Sequence, residues 1–271
     1  GMKITSCGVY RVRLPFRLTF RHSSAERRST DNLVVRLVLE DGTEGFGEGV
    51  PREYVTGETA ESSAHMIAKV HLPDLLKLDP VSFGEAVWAA AGLKVVRDGP
   101  VVFNAARCAV ELALLDAYGK AFGAGLKELR DVLPGLGQEG GSSAAPLTAV
   151  IPFLGKRKSR AVYRFFRLFG YRSFKVKLGR PEDPGPWALA AFLGKRARRG
   201  DIALRVDANE AWTPGEAPAL MERLARLGVE SVEQPVPKAE LRGLARPQSG
   251  KGKVEVVADE SARTAGELER L

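Results

Sequence analysis

Residues 203–212 read ALRVDANEAW: an apolar run that passes through Leu204 and Val206, delivers Asp207, and continues into Ala-Asn-Glu. One aspartate at the end of a strand reads most simply as a cap for the next helix. The event recurs, however. VESVEQPV (229–236) closes a strand-like run on Glu233, and VEVVADES (254–261) closes one on Asp259; the steps 207 to 233 and 233 to 259 are both 26 residues. Working outward, PLTAVIPF (146–153) and YRSFKVKLG (171–179) read as two earlier strands. Helical patterns follow each in turn, over 155–172, PWALAAFLGKRARRG (186–200), PGEAPALMERLARLG (214–228), AELRGLAR (239–246) and AGELERL (265–271). Strand and helix alternating about every 25–30 residues predict βαβ units and a parallel sheet. The strand runs are nearly continuous in apolar residues, as expected of strands covered on both faces. A (β/α) barrel is the leading architecture. A doubly wound open sheet is the alternative, although no Gly-x-Gly-x-x-Gly follows the first strand.

In a barrel the carboxyl ends of the strands converge on one face, and that face carries chemistry. Asp207, Glu233 and Asp259 would all arrive there. Three converging carboxylates repel one another unless a cation stands among them, and hard oxygen ligands suit Mg²⁺, with Mn²⁺ as a substitute. One strand earlier, FKVKLG (174–179) places Lys175 and Lys177 two residues apart, hence on one side of a strand. Crowding by each other and by a cation favours the neutral amine on one of them, the form that works as a base.

The first half of the chain has a different rhythm. NLVVRLVLEDGTEGFGEGV (32–50) is two strands joined around Asp41-Gly42, a hairpin signal. From about residue 59 the pattern is helical. FNAARCAVELALLDAYGKAFG (103–123) puts Ala106, Val110, Leu114 and Ala117 on one stripe, Ala105 and Ala113 where small side chains permit close approach, Asn104 at the N-cap and Gly123 at the stop. LPGLGQEGGSSAAP (133–146) is a Gly/Ser/Pro-rich connection. We therefore expect an α+β domain over 1–135 and a (β/α) domain over 146–271.

The chain has 271 residues, 44% hydrophobic and 27% charged, and a formal charge of +8, values ordinary for a globular protein apart from the charge. Much of that charge lies in GKRKSRAVYRFFRLFGYR (155–172), which contains no acid. We read Lys156, Arg157, Arg160, Arg164 and Arg167 as a solvated helix face, with Val162, Phe165, Phe166 and Leu168 turned inward. That reading is preferred to a nucleic-acid or anionic membrane surface. No run of about 18 apolar residues occurs, so no membrane span is expected. Cys7 and Cys108 form neither a metal spacing nor a disulfide framework, so a reducing cytoplasm is the expected setting.

Taken in order and spacing, KVK (175–177), RVDAN (205–209), VEQPV (232–236) and ADES (258–261) resemble the enolase superfamily, in particular the muconate-lactonizing-enzyme and mandelate-racemase group, and within it the dipeptide epimerases. The hairpin with GFGEGVPREYVTGE (45–58) and the 103–123 helix resemble that family's capping domain. The resemblance implies an α+β cap followed by an enolase-type (β/α) barrel, of which this chain carries about five of the eight strands. It implies that Asp207, Glu233 and Asp259 hold Mg²⁺, that Lys177 takes the α-proton of a small carboxylate substrate, and that Lys175 helps stabilise the resulting enediolate. Asn209 and Glu260, next to ligands, would touch the ligands or the substrate. Arg21, His22, Arg52 and Tyr54 fall in segments that would correspond to the family's specificity loops. A second catalytic lysine would be expected on a sixth strand, supplied by a homo-oligomer or a complementing C-terminal segment. Three readings follow: a Mg²⁺-dependent racemase, epimerase or cycloisomerase; a catalytically impaired, truncated homologue that still binds metal; and a basic module for nucleic acid or an anionic surface.

Overall fold

The computed structural model describes residues 1–21, 26–133, 146–240 and 254–269, and the chain divides into two units, Gly1–Gly141 and Ser142–Leu271. In the first unit, β1 (Ile4–Arg21), β2 (Glu26–Leu39) and β3 (Glu44–Gly49) form an antiparallel sheet in that order. The β2–β3 hairpin turns at Asp41-Gly42. Gly42 sits at φ +85°, and the Asp41 carboxylate accepts hydrogen bonds from the Thr43 amide (2.8 Å) and hydroxyl (2.9 Å). Leu33, Val35, Leu37 and Leu39 alternate along β2 and are buried. The chain continues through α1 (Ala60–Met66), a π-helical turn at Ile67–His71, α2 (Leu72–Leu75) and α3 (Phe83–Ala91). A short hairpin of β4 (Arg97–Asp98) and β5 (Val101–Val102) leads into α4 (Asn104–Ala121), and α5 (Leu129–Val132) ends the described part of this unit.

Helix α4 buries the expected stripe, Ala106, Val110, Leu114 and Ala117, against the β2 face in one apolar core. The contact with β3 is closer than side chains would allow. Gly45, Gly47 and Gly49 alternate along β3, and a Cβ on any of them would overlap backbone atoms of Ala117, Ala109 or Ala105. Asn104 is not the cap: it is the first helical residue, and Phe103 holds the cap position. The capping comes from a distant residue. The carboxylate of Glu58, 1% exposed, accepts from the amides of Ala105 (2.7 Å) and Ala106 (3.0 Å) and from the Ser63 hydroxyl (2.8 Å). A carboxylate there satisfies donors the helix cannot use and meets the positive end of its dipole.

In the second unit, β6 (Thr148–Ile151), β7 (Ser173–Lys177), β8 (Ala203–Asp207), β9 (Ser231–Glu233) and β10 (Glu255–Val257) form a sheet whose every neighbouring pair is parallel, in the order β10-β9-β8-β7-β6. The strands alternate with α6 (Lys156–Leu168), α7 (Pro184–Ala197) and α8 (Ala217–Leu227), and α9 (Ala265–Leu268) follows β10. The expected helix at 239–246 lies, from Leu241 onward, outside the described residues. Ala149, Ile151, Phe174, Val176, Leu204, Val206 and Val232 face the helices and share a core with Tyr163, Trp187, Leu193, Met221 and Leu224.

Two expectations fail here for the same reason, a misread period. On β7 the two faces are not equally buried: Phe174 and Val176 are buried, while Lys175 and Lys177 are only half-buried, because alternate residues of a strand point to opposite faces. On α6 the buried positions are Ser159 and Tyr163, flanked by Val162 and Phe166, whereas Phe165 and Leu168 stand exposed. At about 3.6 residues per turn, 159, 163 and 166 share a face from which 165 and 168 are turned away. The basic residues of α6 are also not all merely solvated: Arg160 stacks on Phe192 at 4.5 Å, and Arg167 donates to the Tyr171 carbonyl (2.9 Å). Finally, β10 ends at Val257, so Asp259 stands two residues beyond the strand.

The glycine contact is testable. Gly47→Ala must push β3 away from the α4 backbone and is expected to lower the unfolding free energy by about 1–3 kcal/mol, measured by denaturant titration. A second prediction concerns His71, which is 2% exposed, with Nε2 buried and unpartnered. Burial first, then the charge of Arg107, hold its imidazole below the ordinary value of 6.5, with Asp74 opposing. The unfolded chain then binds the proton more readily, so His71 contributes stability that is present above pH 6.5 and is lost as pH falls through the lower folded value. His71→Leu is expected to flatten the fall in stability between neutral and mildly acidic pH relative to the wild type, by denaturant titration at several pH values.

Candidate active site

Parallel register does most of the assembly. Lys177 pairs with Asp207 across β7 and β8, and Asp207 pairs with Glu233 across β8 and β9. Three charged side chains therefore emerge side by side at the carboxyl ends of three adjacent strands. Lys175, one step lower on the same face of β7, reaches up to them. Its Nζ donates to both carboxylate oxygens of Glu233 (3.0 and 2.8 Å) and lies 3.9 Å from Asp207 Oδ2. Lys177 Nζ lies 3.4 Å from Asp207 Oδ2 and donates to Asn209 Oδ1 at 3.0 Å. Asp207 is almost wholly buried, at 3% exposure, and its Oδ1 accepts from the Asn209 amide at 3.0 Å. Asn209 thus links the aspartate to the second lysine.

Asp259 makes no hydrogen bond to this group, yet it feels it. Burial, then the negative charges of Glu233 and Asp207, raise its carboxyl above the ordinary carboxylate value, with both lysines opposing. Glu260 is raised chiefly by burial, with Asp259, Glu210 and Asp207 adding to it, and its Oε2 is buried without a partner.

The chemistry of the donors fits a hard divalent cation. They are carboxylate oxygens, and the mutual repulsion among Asp207, Glu233 and Asp259 is only partly met by two ammonium groups. Among the described residues no three acidic, histidine or cysteine side chains are drawn into a closed metal cage, and the Lys175 ammonium stands within 4 Å of both Glu233 and Asp207. Asp207, Glu233 and Asp259 would be the residues to hold the ion.

The backbone here is strained in one place. Asn209 (φ +45°), Glu210 (φ +60°) and Gln234 (φ +38°) are the non-glycine residues with positive φ among those described, and all three lie in the loops that leave β8 and β9. Such conformations cost on the order of 1–3 kcal/mol each and persist where surrounding structure enforces them. Two residues absent from the sequence reading belong to this region. Trp212 donates from Nε1 to the Gly179 carbonyl (2.9 Å), joining the loops after β7 and β8, and Gln234 makes a cluster of buried bonds at the end of β9. The signal for Gln234 was present in VEQPV, where an amide stands between an acid and a proline.

The loop candidates lie in the first unit. Arg52 donates from Nη1 to the Pro51 carbonyl (3.1 Å), and Tyr54 is 49% exposed in the same turn. Arg21 ends β1, with its side chain outside the described residues, and His22 falls outside them altogether. Among the described residues, no helix is long and apolar enough to cross a membrane.

Comparison with known proteins identifies the family of the chain. Residues 4–130 match the N-terminal domain model of the mandelate racemase / muconate lactonizing enzyme family, and residues 159–271 match the enolase C-terminal domain-like model. The chain is 31% identical to a chloromuconate cycloisomerase of Cupriavidus pinatubonensis, over 97% of its own length and 68% of the relative's. It is 26% identical to an N-succinyl-L-Arg/Lys racemase of Bacillus cereus, over 100% of its length and 69% of that protein's. Among solved structures, a dipeptide epimerase of Methylococcus capsulatus complexed with Mg and the dipeptide L-Arg-D-Lys superposes with a TM-score of 0.76 at 25% identity, covering 99% of this chain and 71% of that one. The chain belongs to the mandelate racemase / muconate lactonizing enzyme group of the enolase superfamily.

Proposed function

We propose that the protein abstracts the α-proton of a small carboxylate substrate in an isomerisation of the racemase, epimerase or cycloisomerase type, with a divalent cation, Mg²⁺ or Mn²⁺, at Asp207, Glu233 and Asp259. The observation that carries the reading is the placement of Lys177 Nζ beside Asp207 (3.4 Å) and Asn209 (3.0 Å), with Lys175 on Glu233, all at the ends of three adjacent parallel strands. The names of the relatives supply the substrate range: succinylated amino acids, dipeptides and muconates, all of them carboxylates.

The α-proton of a carboxylate is too weakly acidic for an amine alone. A bound divalent cation supplies positive charge that stabilises the negative charge developing on the carboxylate oxygens. Lys177 takes the proton. Asn209 holds its Nζ in position through the 3.0 Å bond, and the same residue's amide fixes the Asp207 carboxylate. Lys175, on the same face of β7 as Lys177, would add positive charge near the developing negative oxygen, with Glu233 among the residues that would hold the cation. Both lysines rise from one face of β7, so they approach the substrate from one side. Inversion at carbon needs a base on the other side, from another element. Proton transfer between Lys177 and the carbon α to the carboxylate is the step that every reaction type in the proposal shares, as abstraction in racemisation and epimerisation and as delivery when a muconate closes to a lactone.

The test is deuterium incorporation from D₂O, in the presence of Mg²⁺, into a mixed library of dipeptides and N-acyl amino acids, read by mass spectrometry. We expect label at the α-carbon of one substrate class, and a loss of about 10²–10⁴-fold in Lys177→Ala. Exchange that survives Lys177→Ala contradicts the assignment of the base. A chain that binds Mg²⁺ but labels nothing is the impaired homologue, and contradicts the enzymatic reading.

A further inference from the structure

The hydrogen-bond ladder of the sheet stops short of one proposed cation ligand. Strand β10 pairs with β9 from Glu255 opposite Ser231 only as far as Val257 opposite Glu233, and the last backbone bond between them runs from the Gln234 amide to the Val257 carbonyl at 2.9 Å. Asp259 lies beyond that bond, in a turn that no strand holds. What holds it is the Gln234 side chain. Gln234 Oε1 accepts from the backbone amides of Asp259 and Ser261, each at 3.1 Å. Its Nε2 donates to the Ser261 hydroxyl (2.7 Å) and to the Val236 carbonyl (2.9 Å). Both donors and both acceptor sites of the carboxamide are in use, and the side chain is fully buried. The Gln234 carbonyl in turn accepts from the Glu210 amide (2.8 Å) at the end of β8. One residue therefore joins the ends of β8, β9 and β10.

The amide is not interchangeable with a carboxylate. Glutamate would turn a second acceptor oxygen toward the Val236 carbonyl, where only a donor fits. Nor is the residue there for its backbone, since at φ +38° glycine would be the relaxed choice. The side chain is retained in a conformation that works against it.

On the reading that Asp207, Glu233 and Asp259 hold a divalent cation, we propose that Gln234 is the positioning residue that fixes the Asp259–Ser261 turn against the end of β9, and so sets where the Asp259 carboxylate stands relative to Glu233. It touches neither cation nor substrate and acts through Asp259.

The experiment uses the full chain with Mn²⁺ as the probe, titrated by electron paramagnetic resonance, alongside thermal unfolding and amide hydrogen exchange at Asp259 and Ser261. Three variants are compared with the wild type: Gln234→Met, which keeps the volume and removes the bonds; Gln234→Gly, which relieves the backbone as well; and Ser261→Ala, which removes one bond to Nε2. We expect wild-type binding of Mn²⁺, and weakening by about 10–100-fold in both Gln234 variants while the chain still unfolds cooperatively, with faster exchange at the two amides. Ser261→Ala is expected to weaken binding in the same direction by less. A merely structural role predicts that Gln234→Gly loses stability without losing Mn²⁺ affinity, and unchanged affinity in that variant overturns the proposal. If Gln234→Gly does not fold, unchanged affinity in Gln234→Met, or in Ser261→Ala where neither Gln234 variant folds, overturns it in the same way. A wild type that binds no Mn²⁺ overturns the cation reading itself and takes this proposal with it, an outcome visible before any variant is made.

Discussion

Everything at the candidate site depends on the parallel register of β7, β8 and β9. Because Lys177, Asp207 and Glu233 are direct cross-strand partners, three charges that are 30 and 26 residues apart in sequence emerge as neighbours. Alternation along each strand does the rest. Phe174, Val176, Leu204, Val206 and Val232 go to the helices, so their odd-numbered neighbours Lys175, Lys177, Asp207 and Glu233 are committed to the other face. A one-residue slip in any of these strands would bury a charge among Trp187 and Leu193 and expose the core, which is why the site and the core specify each other.

Electrostatics then explains why the group holds together. Asp207 is nearly buried and would be costly alone; it is flanked by two ammonium groups and bonded by the Asn209 amide. Asp259 has its carboxyl raised first by burial and then by the negative charges of Glu233 and Asp207, with both lysines opposing. A divalent cation is the species that would relieve this imbalance while leaving Lys175 and Lys177 for the substrate. The first unit follows a different logic, in which the β3 glycines and the small residues of α4 bring two backbones together and Glu58 closes the helix end.

Much of this was legible in the sequence, for identifiable reasons. A 26-residue βα period lays equivalent positions at equivalent strand ends, so Asp207 and Glu233 could be read as neighbours before any coordinates. The two-residue spacing of Lys175 and Lys177 fixed their common face. The hairpin at Asp41-Gly42 and the α4 stripe were equally local signals. What was hidden depended on relations that no local period encodes. Glu58 caps a helix 46 residues away in sequence, which made Asn104 the obvious but wrong cap. Phe165 and Leu168 are apolar but face away from the core, so hydrophobicity alone misplaced them. Gln234 is buried, left-handed and fully bonded, yet its sequence neighbours announce only an acid and a proline. Asp259 was read as a strand end, and its dependence on Gln234 follows from its standing two residues past that end.

The most direct measurement is anomalous diffraction at the manganese edge from crystals of the chain grown with Mn²⁺. The account predicts one strong peak bounded by Asp207, Glu233 and Asp259, with the Lys175 ammonium displaced from the Glu233 carboxylate. A peak elsewhere, or a Glu233 carboxylate still closed on Lys175 at saturating Mn²⁺, would contradict it.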